Sequence, residues 1–230
     1  MTDFVGFPST PYLTSDPTVA TRVDKLLDQH AATSFLTAPV RVEEKMDGEN
    51  LGLASVEGDL IAQSRGSYVA LGGLQFRGLS SWLAPRRTLL AAALGEGLVM
   101  FGEWCADGHS VPYDSLPDWL LVFDVYDRRD GAFWSGDRRD ALTAELGLAT
   151  VPELFAGQCD IPFLRTLLGT SRCGREPMEG VVVRREAIGR TLGRAKLVRP
   201  DFMQPGDEHW RSGRRRPNRL DPGRWSDASS

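Results

Sequence analysis

The sequence predicts an α+β domain with largely antiparallel sheets. Three observations carry that reading. Apolar strand-like segments are joined by hairpin turns, short amphipathic segments with their own caps stand between them, and the 230 residues contain no internal repeat and no central linker. The length suits one large domain, or one domain with a small appendage. With 41% hydrophobic and 25% charged residues the chain has an ordinary globular composition.

Taken in order, residues 1–16 are rich in Pro, Ser and Thr and read as an extended entry. Val19, Val23, Leu26 and Leu27 have helical spacing, predicting a helix from Pro17 to about Ala32 with Asp16 as its cap. Val40–Met46 alternates like a strand and stops at Asp47-Gly48. Leu51–Val56 and Leu60–Ser64 flank Glu57-Gly58-Asp59, a hairpin signature. Pro85–Leu94 is Ala/Leu-rich and ends at Gly95, as a helix does. Two strongly apolar strands follow, Leu98–Trp104 and Leu120–Tyr126. Helices are predicted at 137–146, stopped by Gly147, and at 161–168, capped by Asp160 and stopped by Gly169. Val181–Arg185 and Arg194–Arg199 read as the last strands, and Phe202–Trp210 as a terminal helix.

Composition excludes several classes. No apolar run approaches the ~18–20 residues that span a membrane. The start, MTDFVGFPSTPYL, has neither a basic nor a continuous apolar region, so no secretory signal is expected. Cys105, Cys159 and Cys173 are odd in number and lack metal-type spacing, which speaks against a disulfide framework or zinc site and points to a reducing cytoplasm. His30, His109 and His209 are far apart and show no triad or metal spacing. The net charge is −4, yet residues 211–230 hold six Arg against Asp221 and Asp227. A folded body over 1–210 and a basic, flexible tail over 211–230 are therefore expected. The tail is either a phosphate-binding arm or plain solvated chain.

The basic residues comprise 24 Arg and only three Lys: Lys25, Lys45 and Lys196. A guanidinium binds phosphate well but never supplies a neutral amine near pH 7, so a chain that uses Arg almost everywhere keeps Lys where an amine is needed. Lys45-Met46-Asp47-Gly48, read alone, is a strand ending in a common turn pair. Further chemistry-bearing groups stand at the remaining strand ends: Ser64-Arg65-Gly66, Phe101-Gly102-Glu103-Trp104, Leu121-Val122-Phe123-Asp124-Val125, Glu179-Gly180-Val181 and Arg194-Ala195-Lys196-Leu197-Val198-Arg199. Carboxylates and lysines at apolar strand ends are costly to keep for packing alone.

In this order and spacing the set resembles the motifs of the covalent nucleotidyltransferase superfamily, which comprises ATP-dependent DNA ligases, RNA ligases and mRNA capping enzymes. Within it the chain is most similar to the ATP-dependent RNA ligase family. Asn50, five residues after Lys45, matches the RNA-ligase form. Phe7-Pro8-Ser9-Thr10-Pro11-Tyr12-Leu13, Lys196–Phe202 and His209-Trp210 add to the likeness. The resemblance implies a ligase adenylation domain, its sheets flanked by helices with the nucleotide site between them. It implies ATP as substrate with Mg²⁺ or Mn²⁺, and RNA ends or nicks as partners, DNA being the alternative.

Lys45 matches the nucleophile that takes AMP from ATP. A lysine of ordinary pKa is neutral in only about one molecule in 2,500 at pH 7, so its pocket is expected to lower that pKa. The resemblance makes Lys196 a contact of the α-phosphate and gives Asp47 the acceptor hydroxyl to orient. Glu103 and Glu179 would hold the ribose and place the metal, and Asn50 would contact the nucleotide phosphate. Arg65 is assigned to ribose or nucleic-acid backbone, and Glu43 or Glu44 to the adenine amino group, by carboxylate or by backbone. Phe123 stacks on adenine or fills the core; Trp104 has the same two readings. Arg194 stands where the family commonly carries a further lysine.

Only about 30 residues follow Lys196. The expected architecture is thus nearly a bare catalytic domain that lacks the relatives' additional domain, with an accessory repair protein as a candidate partner. The leading function is an ATP-dependent RNA ligase. The alternatives are a small DNA ligase, a GTP-using capping-type enzyme, or a nucleotide- or RNA-binding module that needs a partner.

Overall fold

A period of two decides which side chains each strand gives to the core and which to the cleft. The computed structural model describes residues 4–13, 26–70, 76–200, 202 and 217–224. Its elements are α1 (Gln29–Phe35), β1 (Val40–Lys45), β2 (Glu49–Val56), β3 (Asp59–Gln63), α2 (Leu79–Leu83), α3 (Arg87–Leu94), β4 (Leu98–Trp104), β5 (Leu120–Asp127), β6 (Ala132–Phe133), α4 (Gly136–Glu145), β7 (Ala149–Thr150), β8 (Glu153–Gly157), α5 (Ile161–Thr166), β9 (Gly180–Ala187) and β10 (Arg190–Val198). Two sheets result, one in the order β10-β9-β1-β8 and one in the order β3-β2-β4-β5-β6, with β7 beside β5. Every pairing is antiparallel except β5 with β7, as the α+β reading expects.

In the first sheet Val42, Val181, Val183, Ala195 and Leu197 point to a core shared with Ala32 and Leu36 around α1 and Leu164 of α5. The alternate positions Glu43, Lys45, Val182, Arg184 and Arg194 line a cleft on the other face. In the second sheet Leu51, Leu53, Met100 and Trp104 pack under Leu79 and Trp82 of α2 and Leu90 and Leu94 of α3. Asn50 and Glu103, which pair across β2 and β4, line the same cleft from this side. The cleft therefore lies between the polar stripes of two sheets whose apolar stripes face away from it.

Turn chemistry sets the ends of these elements. Val56 pairs with Asp59, so Glu57 and Gly58 form a two-residue hairpin loop, both at positive φ (52° and 82°), the form whose twist suits the flanking strands. Asp160 caps α5 by accepting from Phe163 N at 2.8 Å, and Gly95 ends α3 at φ 48°.

Several expectations change. Among the described residues the first helix runs from Gln29, and the expected start at Pro17 with its cap Asp16 lies within residues 14–25, outside the described residues. Leu27 N donates to Tyr12 O at 2.9 Å and holds the chain extended until Asp28, whose carboxylate accepts from Ala31 N at 2.7 Å, takes the cap. The edge strand β8 and the short α2 carry weak periodicity and are not read from sequence. The terminal helix over Phe202–Trp210 lies outside the described residues except for Phe202, which is buried. The described part of the basic segment is not a free tail: Pro217 and Leu220 form bridges with Asp107 and Leu116, and Asn218 is buried.

Gly180, opposite Lys45 in the β1–β9 pairing, shows how close these strands lie. A Cβ there would sit 2.3 Å from Leu197 O, a backbone atom that cannot swing aside. Gly180→Ala is expected to cost about 1–3 kcal/mol in chemical denaturation, the range of overpacked cores.

Candidate active site

Lys45 ends β1 and faces Glu179, the residue that leads into β9. Lys45 Nζ lies 2.6 Å from Glu179 Oε2, with the Lys45 side chain about a quarter exposed and Glu179 buried. Across the cleft Glu103 accepts from Gly48 N at 3.1 Å, which pins the turn that follows the lysine. Burial pushes the Glu103 carboxyl up to about 7, Lys45 opposing and Glu179 and Asp47 adding to the rise. Glu179 is likewise raised by burial, partly offset by Lys45 and Lys196. For Lys45 burial acts downward, but Glu179, Glu103 and Asp47 together hold its pKa above the ordinary value. The expected depression of that pKa is thus absent from the nucleotide-free protein, because three carboxylates surround one ammonium.

The cleft is open to solvent and mixes apolar walls with a few polar groups, as small-molecule sites do. Phe7, Phe123, Val151 and Val182 give it apolar walls; Asn50 and the exposed Arg65 supply polar groups. Phe123 meets Phe7 edge-on with ring centroids 5.0 Å apart, so it is both core and cleft wall. Asn50 Oδ1 is buried and without a hydrogen-bond partner, the condition of an acceptor left for a ligand. Lys196, on β10, holds its ammonium 4.0 Å from the centre of the Tyr12 ring. Trp104 is buried against Trp82, which settles it as core.

Four assigned residues do other work. Glu43 is buried in an ion network, with Oε2 2.5 Å from Arg184 Nε and Oε1 2.6 Å from Arg139 Nη1. Glu44 points its carboxylate the other way, accepting from Ser171 Oγ at 2.5 Å and Arg172 N at 2.8 Å. Of the two readings for adenine, both carboxylates are therefore committed elsewhere, and the backbone reading stays open. Asp47 Oδ2 accepts from Ser110 N and Val111 N at 2.7 and 2.8 Å, so that oxygen anchors a loop. Arg194 pairs with Asp124 and lays its guanidinium over Phe7 and Phe133 at 4.5 and 3.9 Å, lining the cleft as part of its frame.

Asp124 and Arg184, to which the motifs assign no role, form a buried pair across the two sheets. Arg184 Nη1 meets Asp124 Oδ1 at 2.7 Å while Arg184 Nη2 donates to Phe123 O at 2.6 Å. A buried Arg one residue past an apolar triplet, with Asp124 in an apolar strand, was the available signal. Of the histidines, His109 lies 3.7 Å from Glu49, His30 is on α1, and His209 lies outside the described residues. The three cysteines are free thiols. Among the described residues no three His, Cys, Asp or Glu side chains converge as a metal cage. Glu103 and Glu179 instead offer hard oxygen donors beside a cleft of phosphate-binding groups, which fits a magnesium-type ion shared with a substrate.

Two polar-faced sheets enclosing a lysine among carboxylates define a nucleotidyltransferase-type domain. A family model described as RNA ligase matches residues 38–198, and the chain belongs to that family. No curated protein sequence matches it. Solved structures of the Naegleria gruberi RNA ligase share the fold. A variant with ATP and Mn is 15% identical, with TM-score 0.60, over 84% of this chain and 56% of that one. The form with PPi is 20% identical, with TM-score 0.58, over 86% and 60%. The chain thus spans less than two thirds of those ligase chains.

Because the folded Glu103 carboxyl holds its proton to higher pH than the unfolded one, folding stability falls as pH rises from the ordinary 4.5 towards 7. Glu103→Gln is expected to flatten this part of the stability–pH curve of nucleotide-free protein, read by urea titrations at about pH 5 and about pH 8. Arg184→Met leaves Asp124 and Glu43 buried without this partner and should cost ~3–5 kcal/mol in the same titration.

Proposed function

We propose that the protein is an ATP-dependent RNA ligase that joins 5′-phosphate and 3′-hydroxyl ends through a covalent lysyl-AMP, acting in RNA repair in the cytoplasm. The observation that carries the reading is the placement of Lys45 between Glu179 and Glu103 at the cleft between the two sheets, in a domain of the RNA ligase family. Among the described residues no helix is long and apolar enough to cross a membrane.

In the first step the neutral Lys45 amine forms a P–N bond to the α-phosphorus of ATP while the Pα–O bond to pyrophosphate breaks. AMP then passes to the 5′-phosphate of an RNA end, and the 3′-hydroxyl displaces it. Asn50 Oδ1 and Arg65 meet the nucleotide, Phe123 and Phe7 wall the base, and Lys196 takes charge developing on the α-phosphate. Glu179 and Glu103 would hold Mg²⁺ or Mn²⁺, which supplies charge neutralisation at the phosphates when bound. The resting ion pair has a consequence of its own. Lys45 becomes a nucleophile only when Glu179 is drawn to another cation and the ammonium gives up its proton. Lys196 already interacts electrostatically with Glu179 and is placed to share it.

The test is labelling with ATP radioactive at the α-phosphate, with Mg²⁺, followed by a denaturing gel. Wild type should carry label that survives denaturation, with ATP and not GTP; Lys45→Arg should carry none. Lys196→Ala should slow labelling roughly 10²–10³-fold, as removal of one transition-state donor does. Label from GTP would favour a capping-type enzyme, and sealing of DNA nicks alone a DNA ligase. A folded, ATP-binding protein that stays unlabelled would be a partner-dependent module.

A further inference from the structure

The segment that follows the last motif strand returns to the site. Asn218 N donates to Ala106 O at 3.2 Å, Arg219 N to Tyr113 O at 3.0 Å, Leu116 N to Arg219 O at 3.0 Å, and Asp221 N to Leu116 O at 2.8 Å. The buried Asn218 side chain completes this zipper. Its Nδ2 donates to Cys105 O at 2.9 Å, and its Oδ1 accepts from Tyr113 N at 2.9 Å. Leu220 packs on the cluster of Met46, Cys105, Tyr113 and Leu116, which lies directly under the end of β1.

Tyr113 carries the contact onward. Its buried hydroxyl accepts from Asp47 N at 2.7 Å, two residues from Lys45. Asp47 Oδ2 in turn holds Ser110 N and Val111 N, and the next residue, Gly48, donates to Glu103 Oε1. Gly48 has no room to move: a Cβ on it would lie 2.5 Å from Trp104 O. The turn between the nucleophile strand and the Glu103 side is thus fixed from three directions, and one of them leads back to Asn218.

We infer that Asn218 is a positioning residue for Lys45 adenylylation, acting through Tyr113 and the Asp47-Gly48 turn. Residues 217–221 are then a strap that completes the catalytic domain from beyond its motifs. The inference rests on the ligase reading for its purpose, and on hydrogen bonds and burial for its geometry. A buried Asn with both ends of its amide paired to backbone is suited to this. It fixes two strands of loop at once and cannot be replaced by an apolar group without leaving Cys105 O and Tyr113 N unpaired.

Three full-length variants test it: Asn218→Ala, Tyr113→Phe, and the two combined. Tyr113→Phe removes only the hydroxyl that receives Asp47 N and leaves the ring and the strap in place. Single-turnover lysyl-AMP formation at saturating ATP should fall about tenfold in each single variant, ~1.4 kcal/mol in barrier. The affinity for ATP measured without Mg²⁺ should change little, and the double variant should be no slower than the slower single one, as expected of groups in one chain of contacts. Hydrogen exchange reads the contact without any activity: amides of Asp47, Ser110 and Val111 should exchange faster in Asn218→Ala, while those of β9 and β10 should not. If Asn218→Ala melts earlier yet its folded fraction reacts at the wild-type rate, or if Tyr113→Phe is unaffected, the positioning role is overturned. Wild-type protein that never labels overturns the ligase reading and with it this role, and the exchange pattern alone then decides whether the strap holds the turn.

Discussion

Arg184 is the group on which the two-sheet arrangement depends. It stands on β9, its guanidinium meets Glu43 of the same sheet, and it reaches across to Asp124 and the Phe123 carbonyl of the other sheet. Arg139 from α4 closes the same cluster by binding Glu43 and Phe123 O. Burying these charges is expensive, and the cost is met only where every donor of the planar fork has an acceptor. Arg184 meets that condition with Glu43, Asp124 and a carbonyl. Opposite charges hold its guanidinium pKa above an already high value and depress that of Asp124. Well-packed apolar residues could hold two sheets as firmly. What the ion network adds is direction, because bidentate contacts fix one separation and one register, and so fix the width of the cleft between Phe123 and Lys45.

The same contrast of paired charges separates the frame of the site from its working parts. In the frame, carboxylates and guanidiniums are matched and cannot be drawn apart without leaving a buried charge alone. Around Lys45 they are not matched: Glu179, Glu103 and Asp47 outnumber the ammonium. Burial lifts the two glutamates, with neighbouring carboxylates adding to the rise, and the three carboxylates lift the amine against burial. A surplus of negative charge in a half-buried site is unstable until a cation arrives, so the site is built to take one. In the proposed mechanism, holding Lys45 protonated beforehand ties its release as a nucleophile to the arrival of positive charge.

The fold was legible where local chemistry and tertiary demand agree. β1, β4, β9 and β10 alternate or run apolar, while Asp160 marks the start of α5, Gly95 the end of α3 and Glu57-Gly58 the turn between β2 and β3. β8 was not legible, since Glu-Leu-Phe-Ala-Gly carries no clean alternation and becomes a strand only because β1 offers it an edge. Within the site, position along the chain located Lys45, Glu103, Glu179, Asn50, Arg65 and Phe123 around one cleft. It did not foresee the structural contacts of the Glu43, Glu44 and Asp47 carboxylates, because a carboxylate's partner is a matter of which face of a strand it occupies and what stands opposite. Ser171, Arg184 and Ser110 are 63 or more residues away in sequence from the carboxylates they bind. No spacing rule connects such pairs.

The division of labour between arginine and lysine follows from these constraints. The cations of the ion network (Arg139, Arg184 and Arg194) are arginines, which keep their charge under desolvation and spread it over a planar fork. A lysine in the place of Arg184 could satisfy neither Glu43 and Asp124 together nor the Phe123 carbonyl with them, because its ammonium is a compact point charge without the planar fork. At the catalytic end the requirement inverts. The amine must be able to lose its proton and form a covalent bond, which a guanidinium cannot do. Two of the chain's three lysines, Lys45 and Lys196, stand there. The scarcity of lysine fits the proposed mechanism: a frame that must never titrate is built from arginine, and the proposed nucleophile, which has to lose a proton to react, is left as the exception.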